Sequence, residues 1–381
     1  MNYFKILRIL QKGDKTLFDI PVKEQKAFLD SLGEPKDDID RSYKQYLCQN
    51  FFVPKGKVWL FNIVATIIVP LIILLFLLKG LFVKKSVDVP VIIESKGMNE
   101  VVPLIVQEKY NPDDRFWHEA ATLKVSDVPF LMKMIIRNPR HPYFVLKALM
   151  NIAYYSDLIR RHHPCTIIQF GEFSFSSSIL TAYCHQYGVN HVDIMHGEKL
   201  YFIRDSFFHY DECYVWHEYY SELFRSLKAE PTQFRVALPP SMHIDIESYK
   251  KTDAFADYKY YLAIYDEEQI KDIVQSMAFA ERKGNSVRYR PHPRYSDMNL
   301  LRKYVPEDKI EMPKEVDILE SISNLTYAVG SYTTVLSQAF FSGKKVILDD
   351  ITFKSQYNQL KEMEYILSAT NSTKLSECQN S

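Results

Sequence analysis

Residues 58–78 are apolar throughout, broken only by Asn62, Thr66 and Pro70, and this stretch constrains the chain more than any other. A run of that length matches the hydrocarbon thickness of a bilayer, and core helices of soluble domains seldom run so far without a polar face. A membrane segment over 58–83 is therefore expected. Lys55 and Lys57 flank one end and Lys79, Lys84 and Lys85 the other, which places the C-terminal side in the cytoplasm by a narrow margin. Pro70, near the middle, admits either a kinked span or a re-entrant hairpin. Residues 1–57 are polar and charged, with a helical stretch over 22–32, and read as a small helical cap. Residues 1–10 lack the apolar core of a secretory signal, so cleavable export is not expected.

Behind the apolar segment the pattern shifts to short β-branched runs separated by helices. Residues 87–93 and 101–106 read as strands, and 128–136 and 143–160 as helices. The alternation then becomes regular. Strand 166–170 leads into a Ser-rich helix that Gly188 stops; strand 189–195 follows, then strand 212–216, a helix through 227 and strand 234–238. Such βαβ repetition makes a parallel sheet with helices on its faces. Pro239-Pro240 and the polar residues 247–257 read as a linker, after which the same grammar resumes with strands at 260–265, 286–290, 325–329 and 345–348. The expected fold is α/β, with two Rossmann-like domains facing a cleft, over 87–240 and 255–370, and a flexible tail over 371–381. A length of 381 residues suits two domains and a remainder.

Forty-seven basic residues balance forty-seven acidic ones, so nothing recommends nucleic acid as a partner. Five scattered cysteines, Cys48, Cys165, Cys184, Cys213 and Cys378, lack CxxC spacing, which argues for reduced thiols in a cytosolic setting and against a zinc site. Twenty-six tyrosines and twenty-four phenylalanines suit sugar-binding surfaces as well as cores. No GxGxxG or GxxxxGK[ST] occurs, so dinucleotide and P-loop chemistries lack support.

Three strand ends in the second half carry polar groups, and the carboxyl ends of parallel strands are where open α/β sheets bind ligands. The first is Tyr265-Asp266-Glu267-Glu268, where Asp266 at the strand-to-helix corner is a candidate general base and the glutamates are candidate caps. The second is Arg288-Tyr289-Arg290-Pro291-His292-Pro293-Arg294. Its prolines hold their neighbours extended, so that His292 is presented from a fixed loop among positive charges that suit a phosphate. The third is Gly330-Ser331-Tyr332-Thr333-Thr334, whose hydroxyls and backbone N–H groups at a helix start can hold phosphate oxygens or simply cap the helix. In the first domain, Glu172 after one strand and His196 and Glu198 after the next are acceptor-side candidates, Gly197 allowing close backbone approach. His162-His163-Pro164 precedes a strand and so falls on the wrong edge, while His217 and Glu218 read as a helix start.

An acidic pair after a strand, then His-Pro, then a Ser/Thr cluster resembles the motif set of bacterial sialyltransferases with the two-Rossmann, GT-B fold. That resemblance spans roughly residues 260–350. It implies CMP-sialic acid as donor, Asp266 as base and His292 as phosphate contact or acid. Glu267, Arg290, Pro293, Ser331, Thr333 and Thr334 would line the donor site, with no metal or other cofactor. An N-domain carboxylate such as Glu198 or Asp205 is the alternative base. The implied protein is a membrane-associated inverting transferase on the cytoplasmic face of a bacterial inner membrane, acting on a galactose-type hydroxyl of a lipid-linked O-antigen, capsule or lipooligosaccharide intermediate. Met195-His196-Gly197, taken with the His292 and Ser331 loops, is also similar to CDP-glycerol glycerophosphotransferases of teichoic acid synthesis and to capsule transferases. A third reading, of another class, is a non-catalytic membrane-tethered polysaccharide-assembly protein.

Overall fold

The computed structural model describes residues 13–94, 100–112, 120–246, 255–370 and 372–380. The opening residues 1–10 and most of the expected linker therefore lie outside the described residues. The chain divides into two compact units. One holds the residues up to His196 together with Tyr201–Ala237; the other holds Gly197–Leu200 and the residues from Leu238 onward.

The first unit is built on five parallel strands, β1 (Val91–Ile93), β2 (Thr166–Gln169), β3 (Asn190–Ile194), β4 (Glu212–Val215) and β5 (Phe234–Val236), in the order β1-β2-β3-β4-β5. Its helices are α1 (Val22–Ser31), α2 (Asp38–Asn50), α3 (Lys55–Gly80), α4 (Leu104–Tyr110), α5 (Val128–Arg137), α6 (Pro142–His162), α7 (Ser177–His185) and α8 (Glu218–Ser226). Every residue of β2 is buried, as expected for a strand covered on both faces. The stretch 101–106, expected as a strand, instead starts α4: Pro103 caps it with φ −56° and ψ 142°. Val106 and Tyr110, one turn apart, pack with Ile93, Ile168 and Val192, so a helical period overrode a short β-branched run.

The expected N-terminal cap is not separate. Ile39 and Tyr46 of α2 share a core with Ile152 and Ile179, and the Gln45 amide donates to the Glu172 carbonyl at 3.0 Å. The apolar segment forms one continuous helix, α3, with Pro70 in its interior; a re-entrant hairpin does not form. Pro70 is tolerated because it sits on the exposed side of the helix, where an opened carbonyl is not walled in by protein.

The second unit contains β6 (Ala256–Tyr261), β7 (Val287–Arg290), β8 (Leu325–Gly330), β9 (Lys345–Leu348) and β10 (Thr373–Lys374), all parallel, in the order β10-β9-β8-β6-β7. Its helices are α9 (Glu267–Arg282), α10 (Met298–Tyr304), α11 (Ile318–Ser323), α12 (Thr334–Phe341), α13 (Lys354–Glu362), α14 (Ile366–Ala369) and α15 (Leu375–Asn380). Strand β6 starts earlier than expected, inside the polar run that reads as linker, because Lys259 enters the sheet paired with a carboxylate rather than facing water. The stretch expected as a flexible tail supplies β10, paired to β9, and α15, whose Leu375 is buried. The two sheets differ in one functional respect. Among the described strands the first sheet never reverses its order, whereas the second reverses between β6 and β8, with β7 on one side and β8 to β10 on the other. A crevice opens at the carboxyl ends of strands at such a reversal.

Candidate functional site in the second unit

At the switch point β6 ends in Tyr261-Leu262 and β8 ends in Gly330-Ser331. Gly330 suits the close approach there: a Cβ would lie 3.1 Å from the Tyr261 carbonyl oxygen, tighter than ordinary contact. Two adjoining hollows open on this edge and share Tyr261 and Leu262.

The first hollow, of about 370 Å³, is lined by Arg290, Pro291, His292, Pro293, Lys314 and Thr333 among others. His292 is half-buried and rigidly held. Its backbone N–H donates to Ser296 Oγ at 2.8 Å, and that hydroxyl donates to the Ala263 carbonyl at 2.9 Å. Its ring stacks on Tyr295 with centroids 4.5 Å apart. The Arg294 backbone N–H donates to His292 Nδ1 at 3.1 Å, so the neutral ring carries its proton on Nε2 and presents an N–H donor. Burial, and then the Arg294 charge, lowers the imidazole below its ordinary range. Thr333 caps α12, its hydroxyl accepting from the Val335 N–H.

Beneath the hollow lies a buried charge cluster. The Arg290 guanidinium donates to Glu311 Oε1 at 2.7 Å and to the Val316 carbonyl at 2.8 Å. Lys259 and the Ser321 hydroxyl also donate to the Glu311 carboxylate, and the Tyr261 and Ser321 hydroxyls are 3.0 Å apart. Burial alone pushes the Glu311 carboxyl up; the Lys259 charge and the hydrogen bonds from Lys259, Ser321 and Arg290 outweigh it, and the group lies below the ordinary carboxylate range. Burial likewise pushes Lys259 down against the pull of Glu311. Two cations against one carboxylate leave a net positive charge under the histidine loop. Arg290, expected as a direct phosphate contact, lines the hollow but spends its guanidinium on Glu311 and the Val316 carbonyl.

The second hollow, of about 430 Å³, is lined by Tyr261, Tyr265, Gln269, Ser331, Tyr332, Phe353 and Gln356 among others. Burial, and then the Glu198 charge, pushes the Tyr332 hydroxyl up to about 12, so it stays a neutral donor. Gln269 Oε1 accepts from the Asp266 N–H at 2.9 Å, and Gln356 Oε1 accepts from the Ser331 hydroxyl. Each amide therefore keeps its NH₂ donors for a ligand.

Several expected site residues stand elsewhere. Asp266 is the N-cap of α9, its carboxylate accepting from the Gln269 N–H at 2.8 Å in a reciprocal capping box. It lines neither hollow, and a carboxylate spent on an N-cap is a poor general base. Glu267 bonds the Tyr304 hydroxyl on the exposed face of α9. Thr334, the first helical residue of α12, is exposed. Of the hydroxyl series, Thr333 faces the His292 hollow and Ser331 the aromatic one.

The acceptor-side candidates are divided between the two units. His196 is exposed at the end of β3, against Phe170. Past Gly197, at φ +74°, the chain belongs to the second unit, where Glu198 accepts from the Ser337 hydroxyl of α12 at 2.6 Å. Glu172 is fully buried and so cannot meet a substrate. Asp205, the alternative base, is also buried, against Arg204 at 3.1 Å.

Sequence reasoning missed Glu311, Lys259, Lys314 and both glutamines. The one legible signal was a lone lysine inside the tyrosine-rich run Tyr258-Lys259-Tyr260-Tyr261. It also missed Glu94, which follows β1 directly. Burial raises this carboxyl to about 7, against hydrogen bonds from Tyr155 and Tyr154, and the Tyr155 hydroxyl lies 3.3 Å from it and 3.0 Å from His191 Nε2.

No protein-family model matches the sequence, and no curated protein does. Among solved structures, the wall teichoic acid polymerase TagF is similar at 10% identity and a TM-score of 0.38, over 76% of this chain and 78% of that one. The lipopolysaccharide outer core galactosyltransferase WaaB is similar at 10% identity and 0.40, over 78% and 94%. The UDP-GlcNAc 2-epimerase of Methanocaldococcus jannaschii is similar at 15% identity and 0.41, over 69% and 83%. At these scores the likenesses do not decide function, and the site itself has to.

Proposed function

We propose that the chain is an inverting glycosyltransferase that moves sialic acid from CMP-sialic acid to a hydroxyl of a lipid-linked glycan at the cytoplasmic face of a bacterial inner membrane. The observation that carries the reading is His292. Its Nε2–H donor is fixed at the switch-point edge, above a buried positive cluster and beside Thr333 at the start of α12. As the glycosidic bond to the donor breaks, negative charge grows on the departing phosphate. Preorganised donors at that position stabilise this charge in the transition state. In this reading His292 donates to the phosphate, Lys314 and the N-terminus of α12 add positive potential, and the Arg290–Glu311–Lys259 cluster holds the loop in place. No divalent ion is required, and transfer is expected to persist in chelator.

The aromatic hollow supports a nucleobase. Its volume lies within the range of small-molecule sites, Tyr265, Tyr332 and Phe353 offer flat surfaces, and the two glutamine NH₂ groups suit the adjacent acceptors O2 and N3 of cytosine.

The test is to incubate purified protein with CMP-sialic acid and, separately, CDP-glycerol, each with a galactose-terminated lipid acceptor. Consumption of CMP-sialic acid alone is expected. Consumption of CDP-glycerol instead would transfer the site to polyol-phosphate chemistry, and acceptor-dependent consumption of neither would leave a binding or assembly role.

A further inference from the structure

The helix α3 carries two apolar faces with different fates. Ala65, Val69 and Phe76 are buried against the first unit, and the helix runs alongside α6 for most of its length. Near one end the Asn62 side chain accepts from the Tyr143 N–H at 3.1 Å. Near the other the Arg160 guanidinium donates to the Gly80 carbonyl at 2.9 Å, and the Phe76 carbonyl accepts from the Leu123 N–H at 3.0 Å. Gly80 is packed so closely that a Cβ would lie 1.9 Å from the Leu123 oxygen.

The opposite face is exposed and, apart from Thr66, apolar along its length. It runs through Trp59, Leu60, Ile63, Val64, Ile67, Leu71, Leu74, Leu75 and Leu78, and continues into Leu81 and Phe82, which are 71% and 81% exposed. The spacing of 60, 64, 67, 71, 74, 75 and 78 is that of a single helical stripe. From Lys55 to Val87 there are five lysines and no acidic residue.

We infer that α3 is a monotopic anchor: it lies flat in the headgroup region of an anionic bilayer, with its exposed stripe inserted and its other face docked on the first unit. The docking excludes a span. A bilayer-crossing α3 would draw α6, with Lys147, Asp157, Arg160 and Arg161, into hydrocarbon, where charged side chains are costly. Lying flat, the stripe reaches the acyl boundary at a depth of about 5–10 Å. Trp59 sits at the polar boundary, as tryptophans do, and Lys55, Lys79 and Lys84 meet the anionic headgroups. Nothing in this inference depends on the donor assignment, and its test reads vesicle binding rather than transfer.

The experiment uses the full chain with vesicles of phosphatidylcholine alone and with added phosphatidylglycerol. Flotation is expected with both, stronger with the anionic lipid and weakened by salt. Depth is read with lipids brominated at different acyl positions, with Trp117 and Trp216 replaced by Phe throughout, on Trp59 and on Ile67→Trp and Leu75→Trp, each of the latter two made in a Trp59→Phe background. All three positions are expected at one shallow depth. An Ile67→Trp signal deeper than both others means that the helix crosses the bilayer and overturns the inference. So does failure to float, or a dimer that shields Trp59 from aqueous quencher and does not float. The variant Leu60→Glu/Ile67→Glu/Leu71→Glu alters only the exposed stripe; partitioning is expected to fall by about 100-fold or more with an unchanged circular dichroism spectrum. Flotation retained by this variant also overturns the inference.

Discussion

Replacing Glu311 by glutamine tests whether the floor of the site is held by charge compensation. Lys259 and Glu311 are almost wholly enclosed and Arg290 is 6% exposed, so none of the three has water to fall back on. The wild-type cluster carries two positive charges and one negative. Glu311→Gln keeps the shape and leaves both cations without a counter-charge, a change that costs about 3–5 kcal/mol when one partner of a buried pair is removed. Lys259→Met leaves Arg290 and Glu311 as a one-to-one pair, and its cost is expected to be clearly smaller. Because the chain has two units, local opening is a better readout than a single melting curve. Hydrogen exchange suits it: the Glu311 N–H is bonded to the Tyr289 carbonyl and the Leu262 N–H to the Arg290 carbonyl, both at 2.9 Å. Protection of these amides is expected to fall by roughly two to four orders of magnitude in Glu311→Gln, at 1.4 kcal/mol per decade. A loss below about tenfold, or a loss in Lys259→Met as large as in Glu311→Gln, would refute the reasoning. The pH dependence has a fixed sign. The folded carboxyl lies below its ordinary value, so its stabilisation is complete above the unfolded value of about 4.3 and disappears as pH falls through the folded one.

Three further outcomes are expected. His292→Ala should lower transfer by about 100- to 1000-fold, the usual cost of one preorganised donor, with hydrogen exchange elsewhere unchanged because the ring is not part of the core; near wild-type turnover would remove it from the site. Asp266→Asn keeps the N-cap, since asparagine caps as well as aspartate, so stability and turnover should both stay close to wild type, whereas a loss of three orders of magnitude or more would restore Asp266 as a base. Glu94, raised to about 7, binds its proton more tightly folded than unfolded, so its contribution is favourable below about pH 4.3 and is lost as pH rises to about 7; Glu94→Gln should flatten that fall and stabilise the protein at pH 8 by on the order of 3 kcal/mol, and an unchanged urea profile between pH 5 and 8 would contradict the burial argument.

The parallel sheets and the histidine loop were legible because their signals are local. β-branched runs such as Thr166-Ile167-Ile168 read as buried strands, and two prolines fix the backbone around His292 whatever surrounds them. Residues whose role depends on distant partners were not legible. Asp266 and Thr333 look the same in sequence whether they cap a helix or meet a ligand. Arg290 read as a donor-site cation because Glu311, some twenty residues on, is the group that draws it inward. Val101 to Val106 read as a strand because its branched residues are also compatible with a short helix once Pro103 starts one. The length and polarity of α3 were plain; that one of its faces is occupied by α6 is a tertiary fact.

The central claim is that His292 offers a fixed Nε2–H donor to the phosphate of a cytidine nucleotide. Nitrogen-15 NMR of the imidazole, assigned by comparison with His292→Gln, tests it most directly. Without ligand the ring is expected as the Nε2–H tautomer, titrating below pH 6.5. Addition of CMP is expected to shift the Nε2 resonance and raise the titration midpoint, as a phosphate favours the protonated ring. An Nδ1–H tautomer, or saturation with CMP that leaves both His292 nitrogens unmoved, would contradict the account.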